Sequence, residues 1–343
     1  MIDISIQKQL GSFRLDVRFR SDRHTTGILG ASGSGKSMTL KCIAGIERPD
    51  SGHIIINGRT LFSSDERTDL KPQKRRVGYL FQSYALFGAM TVEKNIMAGA
   101  KGSRAERRER AAELIRLLEL DGLEKKLPQQ LSGGQQQRTA LARLLASQPE
   151  IILLDEAFSA LDTPLKERLQ YEMLNILSDF DIPAVIVSHD RDEIYKMTED
   201  TVIMHGGRVC AHGDTKELFE HPKELETAKL TGCKNISPAV RTGSRTVYAS
   251  GWGCSLETSY EVSSTVKFVG IRAHDIEACD GSAVNSVRVT EERTLESPFE
   301  VTKILRTDSG GELWRKISRD ERLGVFPKTE YVRLPPECLL LLE

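Results

Sequence analysis

The chain has 343 residues, enough for two domains of ordinary size. Its 39% hydrophobic and 28% charged content excludes a disordered chain, and a net charge of −1 predicts no general attraction to nucleic acid or anionic lipid. The longest apolar runs, IILL (151–154) and CLLLL (338–342), fall far short of the ~20 residues that a spanning helix needs.

The opening MIDISIQKQLGSFRLDV alternates like a strand, without the basic start and apolar stretch of a signal peptide. Next, TTGILG (25–30) reads as a strand leading into a helix from about Lys36 to Ala44, and SGHIIING (51–58) as a hairpin strand. RRVGYLF (75–81) is a further strand, and SRAERRERAAELIRLLEL (103–120) has helical spacing. EIILLDE (150–156) and AVIVSHD (184–190) are short apolar strands of the kind buried in parallel sheets. This alternation predicts an α/β fold. From about Asn235 the texture changes to short alternating segments separated by Gly, Ser and Asp, which predicts a small all-β module. The linker is placed in LTGCKNIS (230–237), giving domains of 1–232 and 235–343. The six cysteines (Cys42, Cys210, Cys233, Cys254, Cys279, Cys338) are scattered without a C-x-x-C pair. That fits a reducing compartment and argues against a zinc site or disulfide framework. The expectation is a cytosolic protein that reaches any membrane through partners.

GASGSGKS (Gly30, Ala31, Ser32, Gly33, Ser34, Gly35, Lys36, Ser37) fits G-x-x-x-x-G-K-[ST] between a strand and a helix, the context a phosphate loop requires. The glycines let backbone N–H groups point at one phosphate, helped by the helix N-terminus behind them. Lys36 can reach the β- and γ-phosphates of ATP, and the Ser37 hydroxyl can ligate Mg²⁺. The bland alternative is a glycine-rich turn with an incidental lysine. Asp155, ending a buried strand, stands where open α/β sheets place ligands and would help to hold Mg²⁺. Glu156 could orient or deprotonate the attacking water. Without the phosphate loop, such a carboxylate pair would be an ordinary solvated strand end.

Further motifs carry a family resemblance. Over about residues 1–230 the chain resembles the nucleotide-binding subunits of ATP-binding cassette (ABC) transporters. LSGGQ (131–135) matches the signature motif of that family, Gln82 its Mg²⁺-sensing loop, SALD (159–162) with Asp162 its interface loop, and His189 its switch histidine. The resemblance implies a P-loop NTPase cassette with a helical subdomain at about 83–145, followed by a small OB-like β-barrel regulatory domain. It implies catalysis by Glu156 and His189, Mg²⁺ held by Ser37, Gln82 and Asp155, and a homodimer in which Ser132, Gly133, Gly134 and Gln135 of one subunit cap the ATP of the other. A helix start lined with exposed N–H groups suits a phosphate presented across a two-fold axis. Phe13 is the candidate to stack on adenine, with burial in the core as the equal alternative.

Without a spanning segment, the resemblance places the chain on the cytoplasmic face of the membrane beside a separate permease, with a substrate-binding protein as an indirect partner. FGAMTV (87–92) departs from the family's FPHMTV, since Gly88 and Ala89 replace the usual proline and histidine. NGRTLFSSDERTDLKPQKRRVGYLFQSYALF and VGIRAHDI (269–276) look most like molybdate importers, with sulfate, polyamine and sugar importers sharing the texture. Arg272 or Lys267 could meet an oxyanion, although Arg272 and His274 read first as a solvated β edge. NISPAV (235–240) departs from the S-A-R-N start of molybdate-binding small domains. Two other classes compete. A ribosomal or DNA-acting ATPase would need a second cassette or a long coiled-coil arm, and a β module acting chiefly as an anion store would leave Lys36, Glu156 and His189 without purpose.

Overall fold

A computed structural model describes residues 1–81, 83–159, 163–318 and 330–343. They form two compact units, Met1–Lys216 and Glu217–Glu343.

In the first unit the N-terminal alternation becomes strands β1 (Ile2–Leu10) and β2 (Phe13–Ser21), paired antiparallel with Ile2, Ile4, Ile6, Leu15 and Val17 buried. Strand β3 (Thr25–Gly30) is buried throughout and leads into helix α1 (Lys36–Ala44). Strands β4 (Ser51–Ile56) and β5 (Arg59–Ser63) form a hairpin. Its turn residues Asn57 and Gly58 both have positive φ, the twist that a two-residue hairpin favours. Strand β6 (Thr68–Asp69), helix α2 (Pro72–Arg75) and strand β7 (Val77–Leu80) follow. Helices α3 (Val92–Gly99), α4 (Arg104–Leu117) and α5 (Gly133–Ala146) pack together as a helical region, and Ser103 and Glu106 cap α4 reciprocally.

Strand β8 (Ile151–Asp155), helix α6 (Thr163–Asp179), strand β9 (Ala184–Ser188), helix α7 (Arg191–Met197) and strands β10 (Asp200–His205) and β11 (Arg208–Asp214) complete this unit. Its sheet runs β6-β5-β4-β1-β2-β11-β10-β3-β9-β8-β7. The segment β10-β3-β9-β8-β7 is parallel. Strands β8 and β9 are covered on both faces, which is why they read as unbroken apolar runs. All five strands of the parallel segment point the same way, so the C-terminal ends of β3, β8 and β9 share one edge, where Gly30, Asp155 and Ser188 end them.

The division between the units falls within helix α8 (Thr215–Glu220), ahead of the linker read from the sequence. Helix α9 (Leu225–Leu230) explains why: Ala228 and Cys233 share an apolar cluster with Leu340 and Leu342, and Leu225 N–H donates to the Glu343 carbonyl. Beyond it, strands β12 (Asn235–Arg241), β13 (Thr246–Ala249), β14 (Cys254–Glu257) and β15 (Phe268–Ile271) precede β16 (Glu277–Cys279), β17 (Ser286–Glu296) and β18 (Glu300–Thr307). Then come β19 (Glu312–Ser318), β20 (Tyr331–Arg333) and β21 (Leu340–Leu342). These make two five-stranded antiparallel sheets, β14-β13-β12-β15-β21 and β16-β20-β17-β18-β19. Both sheets bury side chains in one core that includes Val247, Val269, Val289, Leu305 and Val332. The expected small all-β module is present, its two sheets enclosing a shared core.

Candidate active site

The phosphate loop is fixed by close approach. A Cβ on Gly30 would come within 2.5 Å of the Met204 carbonyl and 2.6 Å of Ser34 Oγ, so only glycine lets β3 end there. Gly35, with φ of 102°, turns the chain into α1, which no side chain caps, so its first N–H groups remain for an anion. Ala31, Ser32 and Gly33 are exposed, and Ser34 Oγ is buried without a partner among the described residues. Lys36 is 4% exposed, and its ammonium donates to the carbonyls of Gly30 (2.8 Å) and Ala31 (3.0 Å). Burial pulls this ammonium below its ordinary pKa, while the carboxylates of Glu156 and Asp155 oppose the shift.

Asp155 ends β8 with both oxygens engaged. Ser37 Oγ donates to one at 2.7 Å, and the Tyr79 hydroxyl to the other at 2.7 Å. Burial first, and the bond to Asp155 second, push the Tyr79 phenol well above its ordinary value, so Tyr79 remains a donor at neutral pH. Tyr79 was not singled out in the sequence. Its only signal there is a hydroxyl inside an apolar strand, and the pairing of β7 with β8 converts it into a fixed partner.

Glu156 lies one residue beyond the strand with φ of 48°, a left-handed conformation that a non-glycine residue holds only where its surroundings enforce it. Its N–H donates to the Val187 carbonyl at 3.0 Å, and Ser159 donates to its carbonyl through both N–H (3.2 Å) and hydroxyl (2.9 Å). The bend directs its carboxylate to His189, whose Nδ1 lies 3.2 Å from Oε1. The strand order thus unites Lys36, Ser37, Asp155, Glu156 and His189 from three separate parts of the chain.

Ser132 and Gly133 are exposed at the start of α5. Gln135 N–H donates to Ser132 Oγ (3.4 Å), and Ser132 N–H donates to Gln135 Oε1 (3.0 Å), a capping box. Gly134 is buried, and a Cβ there would meet Leu165 at 3.2 Å. Among the described residues, no hydrogen bond or ion pair joins this helix start to the phosphate loop of its own chain.

The ABC transporter family profile matches residues 15–159. Over 331 residues the chain is 34% identical to the sulfate/thiosulfate import ATP-binding protein CysA of Synechocystis sp., covering 94% of this chain and 89% of that protein. The chain belongs to the ABC transporter family. It is also 37% identical over 223 residues to the molybdenum import ATP-binding protein ModC of Paramagnetospirillum magneticum, covering 65% of this chain and 61% of that one. Among solved structures it is similar to a dimeric ATP-binding cassette in a post-hydrolysis state bound to ADP and Pi. The TM-score is 0.53 and the identity 29%, over 63% of this chain and 99% of that one.

In this ABC cassette Phe13 is half-buried, and its ring tip would touch a Cβ placed on Gly35 (3.3 Å) or Gly207 (3.1 Å). It thus lies beside the phosphate loop while packing on the core. Gln82 and Asp162 lie outside the described residues. The segment after Gln82 is built by α5: Arg143 donates to the carbonyls of Tyr84 (3.1 Å) and Ala85 (2.8 Å) and lies 5.2 Å from the Phe87 ring centre. That leaves Phe87 and Met90 exposed beside Gly88, where a Cβ would meet nothing within 4 Å. No steric demand therefore explains the glycine. No helix among the described residues is long and apolar enough to cross a membrane.

The reading of Arg272 as a solvated edge is corrected. Its guanidinium donates to the carbonyls of Thr231 (3.0 Å) and Phe219, fastening the segment around α9 to the second unit. His274 is exposed and lies 3.4 Å from Asp275, and Lys267 is exposed.

Proposed function

We propose that two copies of this chain bind and hydrolyse ATP at shared sites and so energise import of a tetrahedral oxyanion through a separate permease at the cytoplasmic face of the membrane. The observation that carries this reading is the convergence of Lys36, Ser37, Asp155, Glu156 and His189 at one edge of the sheet. The exposed Ser132–Gly133 helix start, which no hydrogen bond among the described residues joins to its own phosphate loop, suits the γ-phosphate held by a second copy.

The loop N–H groups and Lys36 would hold the β- and γ-phosphates. Ser37 Oγ and Asp155 are hard oxygen donors already 2.7 Å apart, which fits Mg²⁺, with Gln82 as the remaining candidate donor. When bound, the ion supplies charge neutralisation on the phosphates. Tyr79 keeps Asp155 aimed, and Glu156 accepts a proton from the attacking water while that oxygen bonds to the γ-phosphorus. The bond from that phosphorus to the bridging oxygen breaks, and ADP leaves with the electron pair. His189 holds the Glu156 carboxylate and would meet the γ-phosphate of a bound ATP.

Glu156→Gln should bind ATP as before, lose at least about 100-fold in turnover and accumulate as an ATP-dependent dimer. Phosphate release and light scattering check this, and normal multiple turnover would overturn the role of Glu156. The relative named for sulfate/thiosulfate import aligns through the C-terminal module, whereas the one named for molybdenum covers little beyond the cassette. Sulfate or thiosulfate and molybdate, the cargo read from VGIRAHDI, are thus the two readings. Titrating the full chain with molybdate, tungstate, sulfate and thiosulfate, then measuring uptake with its permease, separates them. Silence from all four in the titration would assign cargo choice to the permease and its receptor.

A further inference from the structure

Behind His189 lies a cluster that the mechanism above does not use. The next residue, Asp190, caps helix α7: its Oδ1 accepts from the N–H groups of Asp192 (2.9 Å) and Glu193 (3.4 Å). Its own N–H donates to Ser188 Oγ at 3.0 Å. Its Oδ2 accepts from Lys166 Nζ at 2.5 Å, and the same ammonium lies 3.1 Å from Glu193 Oε2.

Glu193 is 3% exposed, and a carboxylate so enclosed needs a paired charge. Burial raises its pKa, and Lys166 counters that. One ammonium therefore holds both ends of the first turn of α7, and the backbone of Asp190 continues directly into His189. The His189 ring is 57% exposed, so its aim depends on how firmly that backbone is held. Lys166 stands on α6 next to Leu165, whose side chain lies against Gly134 of the signature helix. The clamp is thus anchored to a packed element. Lys196 and Glu167 form a second link between α6 and α7 at 3.2 Å, but both are more than half exposed, where a pair adds little.

Resting on the ATPase reading above, we propose that Lys166 is a positioning residue for hydrolysis. By clamping Asp190 and Glu193 to α6 it fixes the turn that aims His189 at Glu156 and the γ-phosphate. A merely structural lysine would hold α6 to α7 without regard to His189. Misplacement of a reacting group costs rate more than affinity.

The test is steady-state ATPase kinetics on the full chain. Lys166→Met should lower kcat about tenfold with KM for ATP within about twofold, and Lys166→Arg should restore most of the rate. Pairing Lys166→Met with Glu193→Gln removes the stranded carboxylate, so thermal stability should recover while kcat does not. In a His189→Ala background, Lys166→Met should cost nothing further, because Lys166 acts through that histidine. An unchanged kcat in folded Lys166→Met, recovery of kcat together with stability, or independent losses with His189→Ala would each overturn the proposal. A wild-type chain that binds ATP without turning it over would overturn the ATPase reading and this one together.

Discussion

In the cassette, Ser37 and Tyr79 direct their hydroxyls at Asp155, and Glu156 meets His189, all at one edge of a parallel sheet. In the C-terminal module two asparagines turn on the backbone instead. Asn235 exchanges two hydrogen bonds with the main chain of Trp314, at 2.8 and 2.6 Å. Asn285, with φ of 60°, donates to the carbonyls of Glu257 and Leu334 and accepts from Glu257 N–H. Backbone pairing closes a fold, whereas polar side chains gathered on one another leave functional atoms at a strand end. The comparison agrees with the proposed placing of the chemistry in Met1–Lys216, and the bonds of these two C-terminal asparagines hold main-chain segments together.

The largest effect that could break this contrast is at the phosphate loop. Lys36→Ala should weaken ATP binding by about 100-fold, the scale of a buried charge-assisted contact, while the midpoint of thermal unfolding stays near wild type. Calorimetric ATP titration checks it, and unchanged affinity would remove Lys36 from the site. Next comes Asn285→Ala, which removes three hydrogen bonds from a half-exposed turn and puts alanine at a φ of 60°. It should lower stability by about 2 kcal/mol in a denaturant titration and leave ATP turnover within about twofold. A turnover loss exceeding the loss of folded protein would show that the C-terminal module takes part in catalysis.

The smallest effect concerns thiols in both regions. Burial pushes the Cys42 thiol up to about 12 and the Cys233 thiol up to about 11. A raised pKa keeps the unreactive thiol form, so at pH 8 neither should be alkylated in the native chain, and both should react once it unfolds. Mass spectrometry after iodoacetamide treatment reads this residue by residue.

Much of the cassette was legible because its signals are local. The helix from Lys36 to Ala44 matches the expected span, and the apolar runs at 151–155 and 184–188 are buried parallel strands. Ser132 and Gln135 stand three residues apart, the spacing at which a capping box closes, although its observed use of Gln135 was not foreseen. Tyr79 and the Lys166 cluster were not legible, since a tyrosine in a strand and a lysine on a helix are ordinary in isolation. Arg272 was misread because the carbonyls that engage it lie 41 and 53 residues away along the chain.

The sequence by itself determined the phosphate loop, the signature helix start and the change from α/β to all-β texture, each set by the spacing of neighbouring residues. Only the tertiary structure decided that Asp155 is held by Ser37 and Tyr79, that His189 meets Glu156, and that α9 belongs with the C-terminal unit. Those pairings depend on strand order and on the packing of distant segments, and spacing along the chain specifies neither.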